Sequence, residues 1–362
     1  MIFWVVITCL WTAVFGQLKD GSIVFPSNNI INHAPSAASN PNPSLSIVNA
    51  DSGNCKCVPI GTCPPGGIGE FIDVRIVNNG LLPGNCQFGN VLCCPNNSTT
   101  TMDSTCGIRK ITPTPQPVVG QTSFGAYPWH AIIITKQELY LGSGVLLDST
   151  HIVTAAHKVN AFVNNPTMIL VRLGEWNTQN NNEPYPSINL NVAKIIIHPS
   201  FNANNLENDV AVVKLNGMAP IASYPNINTA CKPLKPPAIG TRCYVSGLGK
   251  NAFGANGMYQ SIIKEVDVPI LDINDCENYL RQTRLGANYV LNKNTFICAG
   301  GESGKDACTG DGGAPLVCQR NNQWEVVGLV AWGIGCGTAG VPGVYTNFYN
   351  FLSWINQTIV NM

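Results

Sequence analysis

Charged residues are scarce in this 362-residue chain, and neither sign predominates. Lys, Arg, Asp and Glu make up 11% of the sequence, and 20 basic residues balance 20 acidic ones. A protein without surplus basic charge has no general electrostatic attraction for nucleic acid or for an anionic membrane surface. The composition therefore removes the electrostatic basis for these two kinds of partner, and it does not bear on protein partners.

Long apolar runs are also few, and the most prominent one, MIFWVVITCLWTAVFG, spans residues 1–16. Its end carries Val14 and Gly16, which are small enough for the minus-three and minus-one positions of a signal-peptidase site. We therefore expect a signal peptide over residues 1–16, cleavage before Gln17 and secretion. A membrane anchor is the alternative, but about 15 apolar residues are few for a helix that crosses a bilayer, so no membrane span is expected.

Cysteine, in contrast, is abundant, with 15 residues, of which Cys9 lies in the expected signal peptide. The remaining cysteines are even in number and would reside in an oxidising compartment, which predicts that all of them form disulfides. A zinc site is the competing interpretation of the early cysteines. Because His33, the only histidine before residue 130, is far from them in the sequence, disulfides are favoured, and no metal or cofactor is expected.

The composition changes along the chain and indicates separate segments. Residues 17–54 are rich in Ser, Asn and Pro, which predicts a flexible leader. Residues 55–94 hold six cysteines in a span too short to fold on an apolar core alone, so disulfides that cross the module are expected, with the pairing open. Residues 95–117 form a polar, proline-rich linker, and Cys106 is expected to tether it to the next domain.

Short β-branched runs recur from residue 118 onward between Gly, Asn and Pro residues. Examples are HAIIIT, HIVTAA, DVAVVKL and WEVVGLVAWG, and this pattern is typical of an all-β sandwich or barrel. Near the end, apolar residues recur at helical spacing, which predicts a closing amphipathic helix packed on the barrel. These residues are Phe348, Phe351, Leu352, Ile355 and Ile359.

Five motifs in a fixed order carry the chemical information. His157 lies in VTAAHKV, Asp209 in ENDVAVVKL and Gly312 in CTGDGGAPLVC, and VAWGIGCG and PGVYTN follow. A single histidine after an apolar run is more often structural than catalytic, but the ordered set resembles the chymotrypsin-like serine protease family over residues 118–362. The resemblance implies two six-stranded β-barrels with a histidine, an aspartate and a serine meeting in the cleft between them.

The serine position of this family holds Gly312, because the family motif GDSGGP is replaced by GDGGAP. In the family the serine hydroxyl forms the acyl intermediate and the histidine moves its proton. Loss of the nucleophile lowers the turnover of serine proteases about a million-fold. We therefore expect His157 and Asp209 to be remnants of a triad in a pseudoprotease, and direct activation of water by His157 would give at best a residual rate.

Other family positions have changed together with the serine. Lys158 replaces the cysteine that follows the histidine, and Gly142 replaces its usual disulfide partner. Ala331 and Ala314 replace a serine and a glycine of the family. Activation should also differ, because Val118 follows Pro117 and not a basic residue.

The resemblance also assigns the remaining site residues. Gly310, Asp311 and Gly312 form the loop that corresponds to the oxyanion loop, and Asp311 is expected to be either solvated or locally paired. Asp306 corresponds to the position that gives a preference for basic side chains, with Gly333 and Gly343 on the pocket walls, and the alternative is a leftover carboxylate without a ligand. The implied disulfides are Cys106–Cys231, Cys243–Cys318, Cys276–Cys298 and Cys308–Cys336.

The early module, CKCVPIGTC followed later by CQFGNVLCC, resembles the clip domain of arthropod haemolymph proteins. The family linkage would pair Cys55 with Cys93, Cys57 with Cys86 and Cys63 with Cys94. A clip domain joined to a protease domain without its serine resembles the clip-domain serine protease homologues, which include masquerade-like proteins and prophenoloxidase-activating cofactors. The resemblance implies processing by an upstream clip protease, and protein partners that include prophenoloxidase or other cascade members, with self-association after cleavage.

Proteolytic cleavage and N-glycosylation are the two kinds of processing that the sequence permits. Arg75, which precedes Ile76, is the favoured regulatory cleavage site; Arg109 and Lys110 are other basic residues in the linker, and an uncut Arg75 is the alternative. Sequons at Asn96, Asn97 and Asn356 permit glycans, with empty sites as the alternative.

The sequence is compatible with three functions from different classes. The favoured one is a secreted, non-catalytic cofactor, scaffold or regulator of a haemolymph protease cascade in innate immunity and melanisation. A microbial-surface recognition or adhesion protein would bind bacteria or glucan without a protease partner. An active serine-type endopeptidase of altered mechanism would cleave an Arg or Lys substrate in an inhibitor-sensitive manner.

Overall fold

The structure is a computed structural model that describes residues 105–116, 118–180, 182–252 and 257–362, together with the strand backbone at 56–59, 68–69 and 90–94. The chain divides into two compact units, one of which spans residues 35–104. In that unit, three strands form an antiparallel sheet in the order β1-β3-β2. They are β1 (Lys56–Pro59), β2 (Ile68–Gly69) and β3 (Asn90–Cys94).

Six antiparallel strands of the larger unit close into a barrel in the order β4-β5-β6-β9-β8-β7. Its interior is filled by branched aliphatic side chains such as Ile133, Leu146, Ile152, Val171 and Val213. The barrel therefore has a packed core, as the β-branched runs in the sequence predicted. Its strands are β4 (His130–Thr135), β5 (Tyr140–Leu146), β6 (His151–Thr154), β7 (Ile169–Leu173), β8 (Ile188–Ile197) and β9 (Ala211–Asn216).

A second set of six strands follows in the order β11-β10-β13-β14-β15-β12. An antiparallel bridge between Ile270 and Ala299 joins the two edges of this sheet and closes it into a second barrel. The all-β double-barrel fold expected from the sequence is therefore confirmed. Its strands are β10 (Arg242–Gly247), β11 (Lys264–Pro269), β12 (Phe296–Gly300), β13 (Pro315–Arg320), β14 (Gln323–Trp332) and β15 (Pro342–Asn347).

The described residues of the larger unit also form the α-helices α1 (Ala156–Val159), α2 (Ile273–Arg281) and α3 (Phe348–Asn361). The side chain of Asn347 caps α3 by accepting the backbone N–H of Asn350 at 3.4 Å. Phe348, Phe351 and Ile355 lie on one face of α3 and pack with Trp129 and residues of both barrels. The closing amphipathic helix is thus present, and none of the helices described here is long and apolar enough to cross a membrane.

Four disulfides connect distant parts of the larger unit. Cys106 in the linker is bonded to Cys231, and Cys308 is bonded to Cys336 beside the glycine-rich loop. The other two pairs are Cys243–Cys318, between β10 and β13, and Cys276–Cys298, between α2 and β12. The side chains of the expected clip-domain disulfides lie outside the described residues, as do Arg75, Asn96 and Asn97.

Candidate functional site

The histidine and the aspartate of the expected triad are brought together by the first barrel. His157 is the second residue of α1, directly after β6, and Asp209 lies just before β9, which pairs with β6. The Nδ1 atom of His157 lies 2.6 Å from Oδ2 of Asp209, and the backbone N–H of His157 donates to Oδ1 at 2.8 Å. Because a carboxylate only accepts hydrogen bonds, Nδ1 carries a proton in this contact, and in the neutral imidazole Nε2 would then be an acceptor.

Asp209 is fully buried and is also fixed by the second barrel. Its carbonyl oxygen accepts the hydroxyl proton of Thr346, in β15, at 2.9 Å. The His157–Asp209 pair is therefore held from both barrels in the orientation that a triad requires.

Gly312 lies opposite the free nitrogen of this histidine. A Cβ atom built on Gly312 would lie 2.7 Å from Nε2 and 3.1 Å from Cε1 of His157. A side chain at this position would therefore meet Nε2 directly, but glycine has no hydroxyl to be deprotonated. The site keeps the proton carrier and lacks the atom that would attack a carbonyl carbon.

The space of the missing side chain is filled by Lys158. Its Cε atom overlaps the place where a Cβ on Gly312 would lie, and its Cγ and Cδ atoms lie 2.9 Å from the Cβ position of Gly142. The absence of a Cβ atom at residues 142 and 312 leaves room for this conformation of the lysine chain. The sequence linked Lys158 with Gly142 through the lost disulfide, and it did not indicate that the lysine chain also packs against Gly312.

Burial lowers the pKa of the Lys158 amine, and the carboxylates of Asp311 and Asp209 act in the opposite direction. Lys158 is only partly exposed and lines the cleft next to His157. A basic side chain thus stands beside the position of the nucleophile.

Asp311 is 9% exposed and accepts two backbone hydrogen bonds, from Gly249 to Oδ1 at 2.7 Å and from Cys308 to Oδ2 at 2.9 Å. It is locally paired, and the expectation of a solvated carboxylate is excluded. Burial raises the pKa of Asp311 to about 6, although the two backbone donors and Lys158 oppose this shift.

Val118 and Val119, which follow the altered activation position, are 48% and 97% exposed.

The loop is supported by a residue that the sequence did not single out. The hydroxyl of Tyr140, in β5, donates to the carbonyl oxygen of Gly310 at 2.9 Å. The same hydroxyl lies 3.0 Å from Oγ of Ser143, and Ser143 donates its backbone N–H to the carbonyl oxygen of Gly312 at 3.1 Å. These contacts join the loop to the first barrel, and only their three-dimensional arrangement reveals them.

A cavity of about 160 Å³ extends from the His157–Gly312 site to Asp306, with Gly333 and Gly343 in its lining. Oδ2 of Asp306 accepts the backbone N–H of Gly337 at 3.2 Å, whereas Oδ1 is buried without a hydrogen-bond partner within the described chain. Burial raises the pKa of Asp306 to about 6. The cavity thus has the Asp306 carboxylate at one end, and its role as a vestigial specificity pocket stays a prediction.

The two basic residues of the linker, Arg109 and Lys110, have defined surroundings. The Arg109 guanidinium lies 4.2 Å from the ring of Trp324 and 5.0 Å from that of Tyr127. Nζ of Lys110 donates to the carbonyl oxygens of Ile221 and Ile227, which lie in the segment after β9. Arg109 and Lys110 are therefore both engaged with the folded domain.

Asn356, the glycan candidate in the C-terminal region, lies on the exposed side of α3. Its Oδ1 atom accepts a hydrogen bond from Nζ of Lys232 at 2.7 Å. Glycan occupancy at this residue stays a prediction.

Comparison with known proteins places this geometry in a family. The trypsin family model matches residues 118–355, which include both barrels and the whole site. The chain belongs to the trypsin family.

Three insect proteins are among those similar to this chain. The inactive CLIP domain-containing serine protease A3 of Aedes aegypti is 43% identical over 88% of this chain and 69% of its own length. Phenoloxidase-activating factor 2 of Galleria mellonella is 40% identical over 66% of this chain and 82% of its own length. Protein masquerade of Drosophila melanogaster is 36% identical over 65% of this chain and 22% of its own length.

These relatives and the glycine at the nucleophile position support the same conclusion. The chain is a pseudoprotease, a trypsin-family member of the inactive clip-domain type. The prediction that it is not an enzyme is confirmed.

Proposed function

We propose that this pseudoprotease is a secreted, non-catalytic cofactor in a haemolymph protease cascade that leads to prophenoloxidase activation and melanisation. The observation that carries the proposal is the His157–Asp209 pair facing Gly312, with Lys158 in the space of the nucleophile. A cleft in this state can hold a polypeptide but cannot form an acyl intermediate. The similarity to phenoloxidase-activating factor 2 supports the choice of cascade.

The proposed partners are an upstream clip-domain protease that cuts the chain and prophenoloxidase or another cascade member that the cut protein binds. Arg75 is the proposed cleavage site. The packing of Arg109 on Trp324 and the two hydrogen bonds of Lys110 make the linker a poorer target, because a protease must extract a bound side chain first. Self-association after the cut is part of the proposal.

A reconstitution tests this function. The full secreted chain is incubated with a clip-domain protease, its fragments are mapped by mass spectrometry, and phenoloxidase activity is measured with prophenoloxidase and its activating protease. We expect a changed phenoloxidase activity that depends on the cut, so the Arg75→Gln chain should be inert. Arg284→Gln, which removes another exposed arginine, is the matched control and should keep the response.

Two results would contradict the proposal. Inhibitor-sensitive hydrolysis of an arginine ester by the processed chain would identify an endopeptidase of altered mechanism. An unchanged phenoloxidase activity, together with direct binding to bacteria or glucan, would identify a microbial-surface recognition protein.

A further inference from the structure

Two Thr-Pro pairs, Thr112–Pro113 and Thr114–Pro115, follow each other in the linker before the first barrel. All of these residues are exposed, and none of them lies in a helix or a strand. Within the described part of the chain, no backbone–backbone hydrogen bond involves residues 112–116. The main chain of this stretch is therefore open to solvent.

Both ends of this stretch are fixed to the folded domain. On one side, Nζ of Lys110 donates to two carbonyl oxygens, and a Cβ atom on Gly125 would lie 2.7 Å from Cδ1 of Ile111. On the other side, the carbonyl oxygen of Gly120 accepts the backbone N–H of Glu265 at 2.7 Å. The Thr-Pro pairs therefore lie in an exposed loop between two anchored points, and such loops are accessible to modifying enzymes and to proteases.

The prolines restrict the conformation of this loop. A proline ring fixes its own φ at about −65°, and its clash with the preceding residue disfavours a helical conformation there. Thr112 and Thr114 each precede a proline, so both favour an extended backbone like that of polyproline II. A transferase can enclose an acceptor threonine in an extended, solvated segment without first unfolding a helix or a strand.

The two threonine hydroxyls of the loop do not donate their protons to any described residue. The Thr112 hydroxyl forms no hydrogen bond with the described residues, and the Thr114 hydroxyl accepts one from Nε2 of Gln116 at 3.2 Å. Thr122, further along the same segment, is 2% exposed, and its hydroxyl donates to the carbonyl oxygen of Ile263 at 2.9 Å. The loop threonines are therefore free to react, whereas Thr122 is buried and engaged.

We propose that Thr112 and Thr114 are acceptor sites for mucin-type O-glycosylation. Threonine residues interspersed with prolines are typical of O-glycosylated stalks. In the transfer, Oγ1 of the threonine forms a bond to C1 of N-acetylgalactosamine, and the bond between C1 and the phosphate of the nucleotide sugar breaks. The nucleoside diphosphate leaves with the electron pair of that bond, and the hydroxyl proton passes to the leaving phosphate.

The sugars are expected to protect the residues that follow them. Val118 and Val119 come shortly after Thr114 in the chain and are 48% and 97% exposed, so they offer a protease two accessible apolar side chains. A bulky, hydrated sugar on a nearby threonine sterically excludes a protease from this stretch. The glycans would thus keep the linker intact and leave proteolytic processing to other parts of the chain.

Mass spectrometry of the secreted protein tests the site. The chain from Gln17 onward is expressed in insect cells behind a signal peptide of known function, so its passage through the secretory pathway does not depend on residues 1–16. After denaturation and trypsin digestion, residues 111–136 form one peptide, because Lys110 and Lys136 are the flanking cleavage sites.

Electron-transfer fragmentation of this peptide should locate an N-acetylhexosamine on Thr112 and on Thr114 and none on the buried Thr122. Analysis of the released sugar should identify it as N-acetylgalactosamine. A peptide that carries no sugar, or that carries phosphate on the two threonines, would overturn the proposal.

Two variants separate the Thr-Pro loop from exposure alone. After enzymatic removal of N-linked glycans, the double variant Thr112→Ala with Thr114→Ala should lose the remaining hexosamine of the protein. Thr167→Ala is the matched control, because Thr167 is also exposed but lies in the short 3-10 helix Pro166–Met168 and precedes no proline. This control should keep the sugar content of the parent. Sugar lost from Thr167→Ala and kept in the double variant would contradict the assignment.

Limited proteolysis tests the protective role. Thermolysin, which cleaves before accessible apolar residues, should cut the native double variant at Val118 or Val119 several-fold faster than the glycosylated parent. Thr167→Ala should be cut at the rate of the parent. Equal rates for the parent and the double variant would show that the sugars do not shield the linker.

This inference shares with the proposed function only the passage through the secretory pathway, and the two fail in different assays. If residues 112–114 carry the sugar but phenoloxidase activity does not respond to the protein, the modification site holds and the cascade role is wrong. If the protein alters phenoloxidase activity but the peptide of residues 111–136 is unmodified, only the modification site is wrong.

Discussion

Lys158 and Gly312 compete for one space: the Cε atom of the lysine overlaps the position that a Cβ atom at residue 312 would take. A serine at this position would therefore have to displace a partly buried side chain. The residues that replace the serine, the cysteine after the histidine and the disulfide partner of that cysteine are Gly312, Lys158 and Gly142. These three residues pack against one another. The protein therefore lacks the nucleophile, and Lys158 also occupies the space that a serine side chain would need.

Restoring the serine alone should therefore destabilise the protein without making it an enzyme. We expect Gly312→Ser to lower the free energy of unfolding by about 1–3 kcal/mol, the usual cost of inserting atoms into filled space. Hydrolysis of an arginine ester should stay at background. Urea denaturation and a kinetic assay measure the two effects.

The double variant Gly312→Ser with Lys158→Ala is the control for this prediction, because alanine frees the space that the serine needs. It should recover most of the lost stability relative to Lys158→Ala alone. A Gly312→Ser protein as stable as the parent would show that the lysine moves aside without cost.

Asp209 should matter for stability although the site has no catalytic turnover. Asp209→Ala removes the acceptor of the His157 backbone N–H and of Nδ1, both of which hold the histidine. A buried donor left unpaired costs about 1–3 kcal/mol, so a clear decrease in melting temperature is expected.

The matched control for Asp209 is Glu302→Ala, which removes the 37% exposed carboxylate that pairs with the 46% exposed Arg242. An exposed pair of this kind contributes about 0–1 kcal/mol, so the effect should be smaller. Equal losses from the two variants would contradict the structural role of the buried pair.

The contribution of Asp306 to the stability of the protein should decrease as the pH rises from about 4 to about 6. Its folded pKa is raised by burial to about 6 from an ordinary value of 3.8, so in this range the folded state binds more protons than the unfolded state. The contribution of Asp306 to the free energy of unfolding therefore falls with pH, by at most about 3 kcal/mol. Asp306→Asn should abolish this change.

Urea denaturation at a series of pH values measures that difference between the parent and Asp306→Asn. Asp275→Asn, which alters an exposed carboxylate of α2, is the control and should leave the profile of the parent unchanged. A parent and an Asp306→Asn variant with parallel profiles would show that Asp306 does not titrate in this range.

The linker should resist trypsin at Arg109 and Lys110 in the native protein. The Arg109 guanidinium is stacked on Trp324 and Tyr127, and a partly desolvated cation–π contact contributes about 1–2 kcal/mol. Limited proteolysis with mass spectrometry should find cleavage at the exposed Arg284 before cleavage at either linker residue. Heat-unfolded protein should be cut at all three, and early native cleavage after Arg109 would refute the stacking.

A cut between Cys106 and the first barrel should not release the amino-terminal part. The Cys106–Cys231 disulfide spans this part of the linker, so both fragments remain covalently joined. A protease site is introduced into residues 111–116, and the native protein is cut there. On gel electrophoresis, the cut protein should therefore run as one band without reductant and as two bands with it. Separation without reductant would show that the disulfide is not formed.

Local patterns in the sequence predicted most of the fold. The β-branched runs such as HAIIIT and WEVVGLVAWG are strands β4 and β14, and the helical spacing from Phe348 to Ile359 is α3. These features depend on neighbours in the chain, since side-chain alternation and helical periodicity are local properties. Closure of six strands into a barrel was implied by the resemblance to serine proteases and not by the strand pattern.

The sequence by itself determined that residue 312 supplies no nucleophile, because glycine has no hydroxyl in any fold. It also supplied the histidine, the aspartate and the eight cysteines that pair in the larger unit. Only the tertiary structure decided that Lys158 fills the vacant space, that Asp311 is buried on two backbone amides and that Arg109 stacks on Trp324. Each of these depends on residues that are far apart in the chain and adjacent only after the two barrels have packed, so no local pattern records them.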